Sequence, residues 1–234
     1  MILWVMERAL AARNVARAIV ATDDHRILDA VRAAGFEALM TRSDHASGSD
    51  RLAEVAATLD DAEVIVNIQG DEPLISPLTI EMAVDELLDE DSLLMVTGSE
   101  IITETGDVLS PDVVKVVTDG AGNALYFSRS PIPYPRDGVR AHGTLEAALE
   151  NDPSLVKRFR KHTGFYAYRR RFLLEYSAWP QSALERAESL EQLRALEHGV
   201  MIRVVEAPTP SIGVDTIADL ERVRAMFKAV KSDE

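Results

Sequence analysis

Apolar residues at Leu3, Val5, Met6, Ala9 and Leu10, with Glu7, Arg8 and Arg13 between them, give residues 2–13 the single greasy face of an amphipathic helix. The next apolar stretches have a different rhythm. Ala18-Ile19-Val20-Ala21 is a short unbroken run, the pattern of a buried strand, and it ends on Thr22-Asp23-Asp24. Residues 24–34 return to helical spacing and stop at Gly35, the usual residue just past a helix end. Residues 37–40 read as a strand, residues 41–51 as a polar loop leading into a helix through about Leu59, and Val64–Ile68 as a strand apolar on both faces. Residues 77–89, opening on Pro77, form the next helix. Helix and strand alternate throughout, which predicts an α/β fold with a doubly wound, mainly parallel sheet. The alternation starts on a helix, where such a sheet normally starts on a strand whose turn cradles phosphates.

The pattern changes in the second half. Residues 93–102 and 113–117 read as strands, and Gly120–Asn123 as a hairpin turn into a strand at 124–128. Residues 129–160 hold Pro131, Pro133 and Pro135 and two charged clusters, and are expected to be mostly loop with one helix at 144–150. A strand at 162–169, helices at 170–176 and 183–198, a strand at 201–205 and a helix at 217–230 complete the chain. There is no internal repeat. The 234 residues fit one domain.

Composition narrows the function classes. Against 25 basic residues stand 39 acidic ones, a formal charge of −14, which argues against nucleic-acid or membrane-surface binding because both need a basic footprint. Any phosphate ligand must be met by local Arg or Lys, or through a metal ion. The absence of cysteine excludes disulfides and thiolate chemistry. The N-terminal residues make a poor signal peptide and no stretch is apolar for the length of a membrane span, so the expectation is a cytoplasmic protein.

Two places could carry chemistry. The strand at 64–68 runs into Gln69-Gly70-Asp71-Glu72-Pro73, presenting two acids past its carboxyl end, where open α/β sheets bind ligands. Asp215 also follows an apolar run, and two carboxylates converging on Mg²⁺ would suit phosphate chemistry. Asp71 and Glu72 could equally be a polar turn, and Asp215 or Thr216 could simply cap the last helix with Asp219. The second place is His162-Thr163-Gly164-Phe165-Tyr166-Ala167-Tyr168, where His162, Gly164, Tyr166 and Tyr168 share one strand face. A His and two Tyr hydroxyls can bind a polyhydroxy ligand, or form a polar face beside a subunit contact. No hydrolase triad, zinc motif or Walker loop is present.

Taken together, these segments resemble the 3-deoxy-manno-octulosonate cytidylyltransferases. The matching stretches are Met40–His45 with Ser47–Glu54, Val66–Pro73, Val114–Val117, Ala124–Arg129, His162–Tyr168, Leu190–Arg194 and Gly213–Thr216, spread over nearly the whole chain. The resemblance implies a Rossmann-like nucleotidyltransferase fold with an inserted dimerisation and sugar-site segment at about 125–180, and a homodimer. It implies transfer of CMP from CTP to the eight-carbon sugar acid 3-deoxy-D-manno-octulosonate (Kdo), releasing pyrophosphate, for lipopolysaccharide synthesis. Asp71 and Asp215 match the family's magnesium ligands. Arg51, Gln69, His162, Tyr166, Glu191 and Gln192 match positions lining the Kdo site, while Ser47, Gly48, Ser49 and Gly70 match the nucleotide side.

One part of the family pattern has no counterpart. Members begin with a strand and an Arg- and Lys-bearing loop that wraps the triphosphate, and this chain starts at the equivalent of the helix that follows. The expectation is weakened CTP affinity. Two further readings stand beside the first: a catalytically silent homologue keeping the sugar site and dimer surface, and a nucleotidyltransferase for another acidic or amino-substituted sugar.

Overall fold

The computed structural model describes residues 1–45, 47–211, 213–214 and 216–232, with backbone only for 228–232. In chain order the elements are α1 (Ile2–Leu10), β1 (Ile19–Thr22), α2 (His25–Ala33), β2 (Glu37–Met40), α3 (Gly48–Ala56), β3 (Val64–Asn67), α4 (Pro77–Asp89), β4 (Met95–Ile101), α5 (Thr105–Leu109), β5 (Lys115–Thr118) and β6 (Ala124–Ser128). There follow α6 (Arg136–His142), α7 (Leu145–Asn151), a 3-10 helix (Pro153–Arg158), β7 (Arg160–Arg169), α8 (Arg170–Ser177), α9 (Ala183–Glu188), α10 (Gln192–Glu197), β8 (Ile202–Glu206) and α11 (Ile217–Ser232).

The α/β alternation of the first half is present, and the sheet it builds is mixed. β1 and β2 pair in parallel, as do β4 and β8. β7 runs antiparallel to β3, β4 and β5, and β5 and β6 form the antiparallel hairpin that the Gly120–Asn123 turn predicts. Six strands lie in the order β6-β5-β7-β4-β8, with β3 also on β7. Among the described residues β1 pairs only with β2 and β3 only with β7, so the first ladder stands as a separate two-stranded sheet.

β7 decides where the core sits. Its two faces go to different clusters: Tyr168 packs with Met95, Phe127, Phe172, Tyr176 and Ile202, while Phe165 and Ala167 pack with Ile80, Leu87, Leu93 and Val96 under α4. A smaller cluster of Ile102, Val108, Leu149, Leu155 and Phe159 joins α5, α7 and the 3-10 helix. A fourth, around Met6, Val20, Leu28 and Val31, covers the β1–β2 ladder with α1 and α2.

Three local differences from the sequence expectation have physical causes. Residues 129–160 hold α6 and the 3-10 helix as well as α7. α6 buries none of its residues and carries Gly138 at its centre, so it leaves no hydrophobic period to read. The helix expected over 183–198 is two: α9 begins in a capping box of Ser182 and Glu185 and ends at Ser189 in the left-handed region (φ 54°), and α10 starts afresh at Gln192. Third, β4 and β7 change register, Thr97 facing Tyr166 and Gly98 facing Thr163, so Gly164 and Phe165 bulge out of the ladder.

Candidate active site

The first turn of α3 links two groups of side chains. Ser47 caps the helix, accepting from the Asp50 amide at 3.2 Å. Ser49 and Arg51 then point to different partners. The Arg51 guanidinium donates to Thr41 Oγ1 at 2.7 Å and pairs with Asp23 at 3.1 Å, at the carboxyl ends of β2 and β1. That contact holds the Asp23 carboxyl below the usual carboxylate range. The hydroxyl of Ser49, buried at 3% exposure, donates to Glu191 Oε2 at 2.9 Å. The side chain of Ser49, expected on the nucleotide side, is thus committed to the residue expected on the sugar side.

Glu191 anchors a polar and aromatic wall. The Tyr176 hydroxyl donates to its carbonyl at 2.7 Å. Arg194 lies over the Tyr176 ring at 4.7 Å and forms a two-pronged pair with Glu185, both nitrogens at 2.9 Å, with both side chains buried. Along β7 the rings of His162, Tyr166 and Tyr168 follow one another at centroid distances of 5.4 and 5.8 Å. Burial pushes the phenols of Tyr166 and Tyr168 far above their ordinary range, so both are neutral hydroxyls. Burial also depresses His162, to about 3, so its ring is neutral at physiological pH. Gln192 is 4% exposed, and its Nε2 is sealed from solvent with no hydrogen-bond partner among the described residues. An orphaned buried donor of this kind is uncommon and is satisfied when a ligand supplies the acceptor.

The β3 end forms the second region. The Gln69 side chain lies 3.9 Å from the position of a Cβ built on Gly164, so it reaches the bulge of β7. Gly70 packs beneath Ile2 of α1. The carboxylate of Asp71 makes no hydrogen bond or ion pair among the described residues, while its carbonyl accepts from the Val214 amide at 2.9 Å. Its neighbour Glu72 turns inward and accepts a hydrogen bond from the Ser211 hydroxyl, and Glu100 accepts from the Ser211 amide at 2.7 Å. Desolvation raises both of these acids. Half-buried Glu72 and buried Glu100 therefore hold Ser211, and the Asp71 carbonyl holds Val214. The cap that the sequence could assign to Asp215 or Thr216 is made by Thr216, reciprocally with Asp219. Asp215 itself lies outside the described residues.

Most of the expected positions thus fall into three groups: Ser49, Glu191, Tyr166 and His162 beside β7, Arg51 with Asp23 and Thr41 at the ends of β1 and β2, and Gln69, Gly70 and Asp71 after β3, where Gln69 reaches the β7 bulge. Asp23, Thr41, Thr97, Glu100 and Ser211 also belong to these groups and were not expected, whereas Glu72 was expected only as the acid beside Asp71. Asp23 follows a strand end, a signal of the same kind as that of Asp71. Thr97 sits in an apolar run and leaves no signal. Among the described residues no group of three or more His, Asp or Glu side chains could hold a metal ion.

A family model described as cytidylyltransferase matches residues 1–202. The chain is 51% identical over 228 residues to a 3-deoxy-manno-octulosonate cytidylyltransferase from Trichlorobacter lovleyi, covering 97% of this chain and 88% of that protein. It is 52% identical over 232 residues to one from Pelobacter propionicus, covering 99% and 89%. A solved structure of CMP:2-keto-3-deoxy-manno-octonic acid synthetase complexed with CTP superposes with a TM-score of 0.84 at 43% identity, over 97% of this chain and 87% of that one. A nucleotidyl transferase from Methanothermobacter thermautotroptrophicus, at 15% identity and a TM-score of 0.56, shares the fold. With half its residues identical to these relatives over nearly its whole length, the chain belongs to the 3-deoxy-manno-octulosonate cytidylyltransferase family.

Proposed function

We propose that this protein transfers CMP from CTP to Kdo, giving CMP-Kdo and pyrophosphate. The observation that carries this reading is the near-full-length identity to the named relatives, joined to a wall of neutral hydrogen-bonding groups suited to a polyol. The anomeric hydroxyl of the sugar attacks the α-phosphorus of CTP and pyrophosphate departs. Such a reaction asks the protein to position and neutralise more than to form bonds. His162, Tyr166 and the orphaned Gln192 amide offer neutral hydrogen bonds to the sugar hydroxyls and carboxylate. Arg51, held by Asp23 and Thr41, supplies a fixed positive charge where the ends of β1 and β2 meet α3. Gln69 and Gly70 line the β3 side, with Ser47 and Gly48 at the start of α3 on the nucleotide side.

Asp71 and Asp215 are the residues that would hold a magnesium ion. The unpartnered Asp71 carboxylate fits such a role, because Mg²⁺ takes one or two protein carboxylates and fills its shell with water and substrate oxygens. The bound ion would supply charge neutralisation at the phosphates and lower the pKa of the attacking hydroxyl. Glu72 and Glu100 hold Ser211, four residues before Asp215, by its hydroxyl and amide.

We also propose a homodimer and a cytoplasmic setting. The dimer reading is supported by Leu125, on the outer strand β6, and Tyr134, each 63% exposed. Among the described residues no helix is long and apolar enough to cross a membrane. The direct test is pyrophosphate release from CTP, Kdo and Mg²⁺. Release should depend on all three, and Asp71→Asn should reduce turnover at least about a hundredfold, the loss expected for removing a charged group that acts on the transition state. A wild-type protein that binds Kdo without releasing pyrophosphate would be a silent homologue. An Asp71→Asn protein with full turnover removes Asp71 from the metal site.

A further inference from the structure

Thr97 pairs with Tyr166 and Gly98 with Thr163, so Gly164 and Phe165, in the bulge of β7, face no residue of β4. The Thr97 side chain fills the gap, with its Oγ1 2.7 Å from the Phe165 carbonyl oxygen. The same oxygen lies 2.9 Å from His162 Nε2 and 3.4 Å from the Thr163 carbonyl. Thr97 is fully buried, closed off from bulk solvent. A hydroxyl has one proton, and a carbonyl can only accept. The Thr97 proton therefore goes to the Phe165 oxygen, the nearest acceptor. What remains on Oγ1 is lone pairs, and the contact with His162 is satisfied only if Nε2 carries the hydrogen.

We propose that Thr97 is a positioning residue that fixes His162 in its Nε2–H form, leaving Nδ1 as an obligate hydrogen-bond acceptor for a hydroxyl of the bound sugar acid. Nδ1 has no partner among the described residues, and it is not one of the polar atoms sealed from solvent without one. The ring is held in place by the edge of Phe127 at 5.0 Å and by Tyr166. Its burial, which keeps it neutral, points the same way. An acceptor here welcomes a hydroxyl and repels a carboxylate. The ring thus orients the polyol part of the substrate and turns its acid group elsewhere. The identity of the ligand rests on the function proposed above; the tautomer does not.

The test separates these two parts. In protein with ¹⁵N-labelled histidine rings, long-range ¹⁵N–¹H correlation reports which nitrogen is protonated, and His162→Gln assigns the signal among the five histidines. At neutral pH and without substrate, His162 should show a protonated Nε2 and a bare Nδ1. Thr97→Ser keeps the hydroxyl and should keep that pattern. Thr97→Val removes it and should give the other tautomer or a mixture. It should also raise KM for Kdo by about tenfold, the loss of one oriented hydrogen bond, with KM for CTP within about twofold. A protonated Nδ1 or a cationic ring in the wild-type protein overturns the proposal, and so does a Val variant that keeps the wild-type pattern. A changed tautomer with unchanged KM for Kdo overturns the substrate half. The predicted tautomer in a protein that makes no CMP-Kdo overturns the functional reading alone.

Discussion

Burial decides protonation at His162, and this has a measurable cost in acid. Its pKa is depressed to about 3, whereas in the unfolded chain it is near the ordinary ~6.5. The unfolded state therefore takes up the proton first, and the stability associated with a neutral His162 is present above about pH 6.5 and is lost as pH falls toward about 3. At pH 5 the loss from this residue is about 2 kcal/mol. The difference in urea unfolding free energy between pH 7 and pH 5 should be smaller in His162→Gln by that amount; equal differences would show that the ring is solvated. Arg194 and Glu185 make the complementary case. Both are buried and each satisfies the other, so removing one leaves a buried charge. Glu185→Ala should cost about 3–5 kcal/mol in urea denaturation, and a cost below about 1 kcal/mol would mean that water reaches Arg194. Neither residue announces itself in sequence. Glu185 reads as one more acid in a polar helix, and its capping role at Ser182 is legible while its burial is not.

The β4–β7 pair is the element on which the candidate sugar site depends. A Cβ on Gly98 would stand 2.3 Å from Thr163 Oγ1 and 2.4 Å from a ring carbon of Phe165, so glycine is required by the close approach of the bulged strand. Gly98→Ala should cost about 1–3 kcal/mol by overpacking and should also disturb the His162 ring nitrogen signals, because the same bulge places both. An unchanged urea midpoint with unchanged His162 signals would show that the bulge is not held where we place it. A second fastening lies nearby. Lys115 is fully buried and its ammonium donates to the carbonyls of Ser110, Val113 and Arg129, tying the loop before β5 to the end of β6. The strands themselves were readable from apolar runs. Their register was not, because a bulge depends on which carbonyl finds a partner across the sheet.

At the scale of the molecule, β7 divides the protein's two large cores and brings residues from opposite ends of the sequence together. Ser49 and Glu191 are separated by 142 positions, and Glu72 and Ser211 by 139. The segment at 125–180 contributes to two places in the fold. Its first half packs α6, α7 and the 3-10 helix at one side, and its second half supplies β7 at the centre of the sheet. The exposed edge strand β6 is left with Leu125 facing solvent. If the dimer forms there, Leu125→Asp should halve the mass measured by sedimentation equilibrium while leaving the secondary structure unchanged. A wild-type protein that sediments as a monomer would remove the dimer.

The sequence by itself determined the α/β class, the acidic turn after β3 and the family. Each is a local pattern: an apolar period, a glycine or proline at a chain reversal, or a contiguous motif. Only the tertiary structure decided that the sheet is mixed, that Ser47 caps the helix, that Ser49 binds Glu191, that Glu72 and Glu100 hold Ser211, and that Thr97 speaks for the proton on His162. Apart from the Ser47 cap, these are pairings of distant groups. A hydroxyl's partner depends on which acceptor lies within about 3 Å once two strands have settled their register, and no spacing along the chain contains that distance.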